Sequence, residues 1–192
     1  MTLHITGDAA ADELLTAEPL ALIIGMLLDQ QVPMETAFAG PHKMRARVGD
    51  LDASTIAALD PEQLTEAFKQ TPSIHRFPGS MAARVQSLCV CIRDDWEGRA
   101  ENIWTIGDPD GRETLQRLKA LPGFGEQKAK IFLALLGKQY GYQGEGWREA
   151  SAPYGDEGAY RSVADITGPE SLVRVRSYKK AMKNAAARGE AR

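Results

Sequence analysis

Leu118–Leu133, LKALPGFGEQKAKIFL, is the stretch whose reading decides the fold. Its pattern predicts a helix, a tight turn and a second helix. Gly123 and Gly125 bracket Phe124 in the turn, and both are read as permitting backbone torsions that a side chain forbids. They also leave amide N–H groups bare at the start of a helix, where the dipole favours an anion. Leu118, Leu121, Ala129 and Leu133 close the two helices on each other, and small Ala129 permits close approach. Such a hairpin can clamp a phosphate without reading base sequence. The plainer reading of the same residues is an αα-hairpin with a glycine turn.

Outward from the hairpin, the 192 residues suffice for one larger domain or two small lobes sharing a cleft. Hydrophobic residues make up 43%, enough for a substantial core. No apolar run reaches the roughly 18 residues of a membrane span. The longest, Leu20–Leu28, contains Gly25 and stops at Asp29. No basic segment precedes an apolar stretch at the N-terminus, so a cytoplasmic location is expected. Cys89 and Cys91, in LCVCI, read as buried core rather than as a bridge or a metal site, since His4, His42 and His75 are scattered.

The net charge of −3 argues against a general nucleic-acid coat, but the charge is uneven. From Ser171 onward stand Arg174, Arg176, Lys179, Lys180, Lys183, Arg188 and Arg192 against one acid, Glu190. A basic tail on an acidic body suits local phosphate contact, and equally a solvated terminal helix.

Period and cap signals predict a mostly helical chain. The opening LHIT allows a short strand, and Leu20–Leu28, apolar nearly all round, a central buried helix. Asp60-Pro61-Glu62-Gln63 has the N-cap, first-position proline and closing Gln of a helix start. A helix is expected from about Met81 to Arg93, another from Asp108-Pro109 into the hairpin, and the second hairpin helix is expected to stop at Gly137. Residues 140–158, YGYQGEGWREASAPYGDEG, lack a period, although their aromatic content argues against disorder. Helical signals resume near Ala159, and Pro169-Glu170 starts a last, basic helix.

The form LPGFG…KA resembles the helix–hairpin–helix element of base-excision DNA glycosylases of the endonuclease III superfamily. The likeness runs from about Pro19 to Arg161. It implies an all-α, two-lobed fold with a DNA groove between lobes. Residues 1–192 would form one unit, with a central lobe over about 30–136, including the hairpin at 113–136, and a second lobe from 1–29 and 137–192. Leu121, Pro122, Gly123, Phe124, Gly125, Gln127 and Lys128 would then form the phosphate-binding hairpin.

Relatives that also nick the strand place a Schiff-base lysine two residues after the second hairpin glycine, where this chain has Gln127. Lys128 is next in sequence but about 100° round a helix. The resemblance therefore implies a monofunctional enzyme with water as nucleophile. The family's catalytic Asp stabilises the sugar cation and orients that water. Counting from Gln127 lands on Glu145. GDEGAYRSVADI instead places Asp156 five residues before Arg161, the family's Asp-to-Arg spacing, provided that about eleven residues are inserted. Asp156 is the favoured carboxylate, with Glu145 and Glu157 in reserve; its plainer role is a helix cap.

PLALIIGMLLDQQVPMETA resembles the segment whose Gln enters the DNA stack beside an extruded base, nominating Gln31 with Gln30 adjacent. IHRFPGSMAARV matches the second wedge and nominates His75, Arg76 and Phe77. Trp147, Tyr154 and Tyr160 are candidate walls of a base pocket, or a packed cover over the groove. No cysteine follows Cys91, so the iron–sulfur cluster of many relatives cannot be built that way. A monovalent cation at the hairpin is the one cofactor the resemblance implies. The expected function is removal of a damaged or mispaired base from double-stranded DNA by a monomer, nucleoid-associated in a bacterium. The alternative is a non-catalytic, lesion-sensing DNA-binding protein. A protein-interaction domain, a third reading, predicts no salt-sensitive DNA affinity.

Overall fold

A computed structural model describes residues 2–188. Every regular element among them is helical, as expected from the sequence. In chain order they are α1 (Ala9–Ala17), α2 (Pro19–Leu28), α3 (Met34–Phe38), α4 (Gly40–Val48), α5 (Ala53–Ala58) and α6 (Pro61–Lys69). Then come α7 (Pro78–Asp95), α8 (Asn102–Thr105), α9 (Gly111–Lys119), α10 (Glu126–Gln139), α11 (Trp147–Ala150), a 3-10 turn (Val163–Asp165) and α12 (Pro169–Ala187).

Two helices organise the core: α2, apolar on nearly all sides, and α10, through its central apolar run. Leu20 to Leu28 are all buried in α2, and Phe132 to Leu136 are all buried in α10. Gly25 lets α3 close on α2, since a Cβ there would lie 2.7 Å from the Phe38 ring. Helices α5 and α6 pack on α7, which also meets α2; α9, α11 and the 3-10 turn pack on α10, which meets α2 from another side. The C-terminal half of α2 thus lies where both groups converge. Side chains of Asp52, Asp60 and Asp110 accept first-turn amides of α5, α6 and α9, the capping that Asp favours.

Several sequence expectations are corrected. LHIT is not a strand: the amides of Ile5 and Thr6 donate to Asp12 Oδ1 and that of Leu3 to Thr16 Oγ1, so α1 satisfies the segment. The first hairpin helix starts at Gly111 under Asp110, while Asp108 sits in a turn at φ +50°. Helix α10 runs through Gly137 to Gln139, because that glycine admits the Trp147 ring rather than ending the helix; a Cβ there would lie 2.4 Å from it. Helix α7 begins three residues early, at Pro78, and helical structure after the loop resumes only at Val163. In α12 only Ser171 and Val175 are buried. Glu190 and Arg192 of the basic tail lie outside the described residues.

Candidate functional site

The turn between α9 and α10 is built as the hairpin reading requires, but its two glycines do different work. Gly123 stands at φ +80°, where a side chain is strained, and a Cβ there would meet Leu27 Cδ1 at 2.4 Å. Gly125 is extended, at φ −80° and ψ 176°, with open space where a Cβ would be. Its torsions suit any residue, which corrects the expectation that both glycines are needed for backbone shape. As N-cap of α10 it supplies no side chain to accept the first-turn amides. Phe124 points inward, edge-on to Phe132.

The end of α2 docks against this turn. Lys128 Nζ donates to the carbonyl of Leu27 at 2.8 Å. Asp29 caps α2, and its carboxylate lies 3.7 Å from Lys179 Nζ of α12, with 12% of its side chain exposed. Beside it, Glu35 of α3 pairs with Arg176 of α12. Burial pushes the Asp29 carboxyl above its usual range, opposed by Lys179 and Lys128. Burial likewise lowers Lys128 to about 8, opposed by Asp29 and helped by Arg84. Four elements therefore bring alternating charges together beside the hairpin.

The wedge candidates separate. Gln31 is exposed and held at φ +56°, an uncommon conformation for a residue with a side chain. Gln30 is tied back: its Nε2 donates to Leu27 O and its Oε1 accepts from Arg84. His75 is buried. The Phe77 amide donates to its Nδ1, so Nε2 carries the proton and donates to the Gln30 carbonyl at 3.0 Å. His75 is therefore a strut between the two loops, and the expectation that it enters DNA is corrected by its burial. Phe77 is 40% exposed, with the Arg76 guanidinium 5.3 Å from its ring.

The residues from the long loop are dispersed. Tyr154 reaches the hairpin, its hydroxyl accepting from Gln127 Nε2 at 2.9 Å. Trp147 packs instead at Gly111 and Gly137, and Tyr160 lies under the Arg174 guanidinium. These three rings do not wall one pocket: Tyr154 and Trp147 meet α10 ten residues apart, at Gln127 and Gly137, and Tyr160 meets α12. Glu145 lines a concavity on the hairpin helices, with Arg112 and Lys119 of α9 and Glu126 and Lys130 of α10, and Glu157 pairs with Arg148. Asp156 is exposed and 3.5 Å from Arg161; its backbone carbonyl accepts from Lys138. Lys138 lies eleven residues beyond Gln127, about 16 Å of helix rise. The Asp156 backbone thus lies beside Lys138, while Tyr154, two residues earlier, reaches Gln127 at the other end of α10.

The sequence reading passed over Asp29, a largely buried carboxylate within electrostatic range of Lys128 on α10. Its available signal was an acid directly after a wholly apolar helix. Asp165 was also passed over; it is buried, pairs with Lys138 at 2.6 Å and accepts the amides of Arg161 and Ser162, a structural anchor. Burial pushes the Cys89 thiol up to about 12 and Cys91 up to about 11, so neither is a ready nucleophile.

Residues 24–185, carrying the α2 terminus, the wedge loops, the hairpin and most of α12, match the family model of the HhH-GPD superfamily base excision DNA repair protein. The chain belongs to that superfamily. Membership makes it a DNA-binding protein of base excision repair, with glycosylase-type function as the family's activity. The chain shows no significant match to a curated protein or to a solved structure. No helix among the described residues is long and apolar enough to cross a membrane.

Proposed function

We propose that this superfamily member is a monofunctional DNA glycosylase, hydrolysing the N-glycosidic bond of a damaged or mispaired base. The observation that carries this reading is at the start of α10. Gln127, an amide without nucleophilic nitrogen, occupies the Schiff-base position and is bonded to Tyr154, while the neighbouring Lys128 amine is turned onto the Leu27 carbonyl. Neither presents a free amine to the sugar, so water is the nucleophile.

The bare amides from Gly125 onward would hold a phosphate flanking the target nucleotide. Gly123 and Gly125 are solvent-exposed, so the turn is open to a monovalent cation between its backbone oxygens and the phosphate. Gln31 would fill the space left by the extruded base, and Phe77 would press on the stack from the other loop. Positive charge develops on the sugar as the base departs, so a carboxylate must face C1′. Sequence matching nominates Asp156; a second candidate is Asp29 at the end of α2, within electrostatic range of Lys128.

The second reading, a lesion-sensing protein without catalysis, is favoured by the exposure of the Asp156 carboxylate and its pairing with Arg161. Base release from duplexes carrying alkylated, deaminated, oxidised and mispaired bases, with abasic sites cleaved by alkali, separates the two. Release from one duplex class supports the glycosylase and identifies its substrate. Salt-sensitive binding without release from any class supports the sensor.

A further inference from the structure

We infer that the carboxylate facing the sugar of the extruded nucleotide is Asp29, at the end of α2, rather than a residue of the 140–158 loop. The inference rests on the glycosylase reading above. Its warrant is placement. Asp29 is two residues before Gln31, which extends from the same short turn. If Gln31 fills the vacated position in the stack, the extruded nucleotide pivots beside Asp29. The docking of Leu27 on Gly123 sets the same turn against the phosphate-facing amides. Wedge, carboxylate and phosphate clamp thus converge on one nucleotide, whereas the Asp156 carboxylate is exposed and turned to Arg161.

The surroundings suit the chemistry. Water's oxygen forms the new bond to C1′, the C1′–N bond breaks, and its electron pair leaves with the base. Asp29 takes the water proton and balances the sugar's charge meanwhile. Burial, and Glu35 of α3, itself paired with Arg176, make it more basic than a surface carboxylate, while Lys179 of α12 and Lys128 of α10 favour its ionised form.

The test is single-turnover base release under saturating enzyme, with Asp29→Asn beside the wild type, Asp156→Asn and Lys179→Met, on the duplex that the wild type cleaves. D29N is expected to lose at least about 100-fold in rate, the usual scale of a lost acid–base group. It should still bind a duplex with an abasic-site analogue within about threefold of wild type, given that the hairpin contacts supply sequence-independent affinity. K179M removes a cation that favours ionised Asp29, so the acidic limb of the pH–rate profile should move to higher pH. A merely structural Asp29 would instead lower product binding together with rate and leave that limb in place. Unimpaired release by D29N, or a larger loss in D156N, overturns the assignment and keeps the glycosylase. No release by the wild type from any duplex overturns the glycosylase reading, and the assignment with it.

Discussion

At Gly123 the chain adopts φ +80° with Leu27 pressed against the missing Cβ, whereas Gly125 has ordinary torsions and open space. The two glycines should therefore respond differently to the same methyl group. G123A is expected to cost about 1–2 kcal/mol in thermal or denaturant unfolding, the scale of left-handed strain. G125A is expected to change stability by under about 0.5 kcal/mol, as at unstrained surface sites, while weakening DNA binding because a methyl stands among the amides. Equal losses of stability would remove the distinction. Lys128 carries a second test. Its proton is bound more weakly in the fold than in the unfolded chain, with a folded value of about 8 against 10.5. Between those values the unfolded chain holds a proton that the native protein has released. Stability gains a contribution as pH rises from about 8 to 10.5, and loses it as pH falls through 8. K128M should flatten that rise in unfolding measurements across pH 7.5–10. Borohydride should trap no covalent DNA adduct; trapping abolished in K128M would replace water with the amine as nucleophile.

Helix α10 shows how a single element reconciles conflicting local signals. Gly137 reads as a stop in the sequence, yet the helix continues to Gln139 and the glycine becomes a seat for Trp147. G137A should destabilise by about 1–3 kcal/mol through overpacking against the indole. W147A should destabilise by about 2–4 kcal/mol and open the 140–158 segment to protease, since the ring anchors that segment on Gly137 of α10. Retained protease resistance in W147A would show that Tyr154 and the Arg148–Glu157 pair suffice. The hairpin, α2 and the basic α12 were legible because each is written in local period, caps and glycines. The long loop was not, because Trp147, Tyr154 and Tyr160 are each placed by a partner distant in sequence: Gly137, Gln127 and Arg174.

For the whole molecule, an acidic body carries a basic α12 whose Arg176 and Lys179 engage Glu35 and Asp29. Farther along the helix, Lys180 and Lys183 project into solvent. If they touch DNA phosphates, K180M and K183M should each weaken binding of all duplexes alike. Each should also reduce the slope of log affinity against log salt by about 1. An unchanged slope would confine the DNA footprint to the hairpin and the wedge loops.

The sequence by itself determined the helical class, the hairpin, the absence of an amine at Gln127 and the Gln31 turn, because these depend on residues within a few positions of one another. Only the tertiary structure decided which groups share a site. It buried His75 as a strut, left the Asp156 carboxylate exposed beside Arg161 and brought Asp29 under the influence of Lys179 and Lys128. The reason is physical: caps and torsions are local. The burial of a charge and the cations that compensate it come from helices a hundred residues apart, and their meeting is fixed by how α2, α10 and α12 pack.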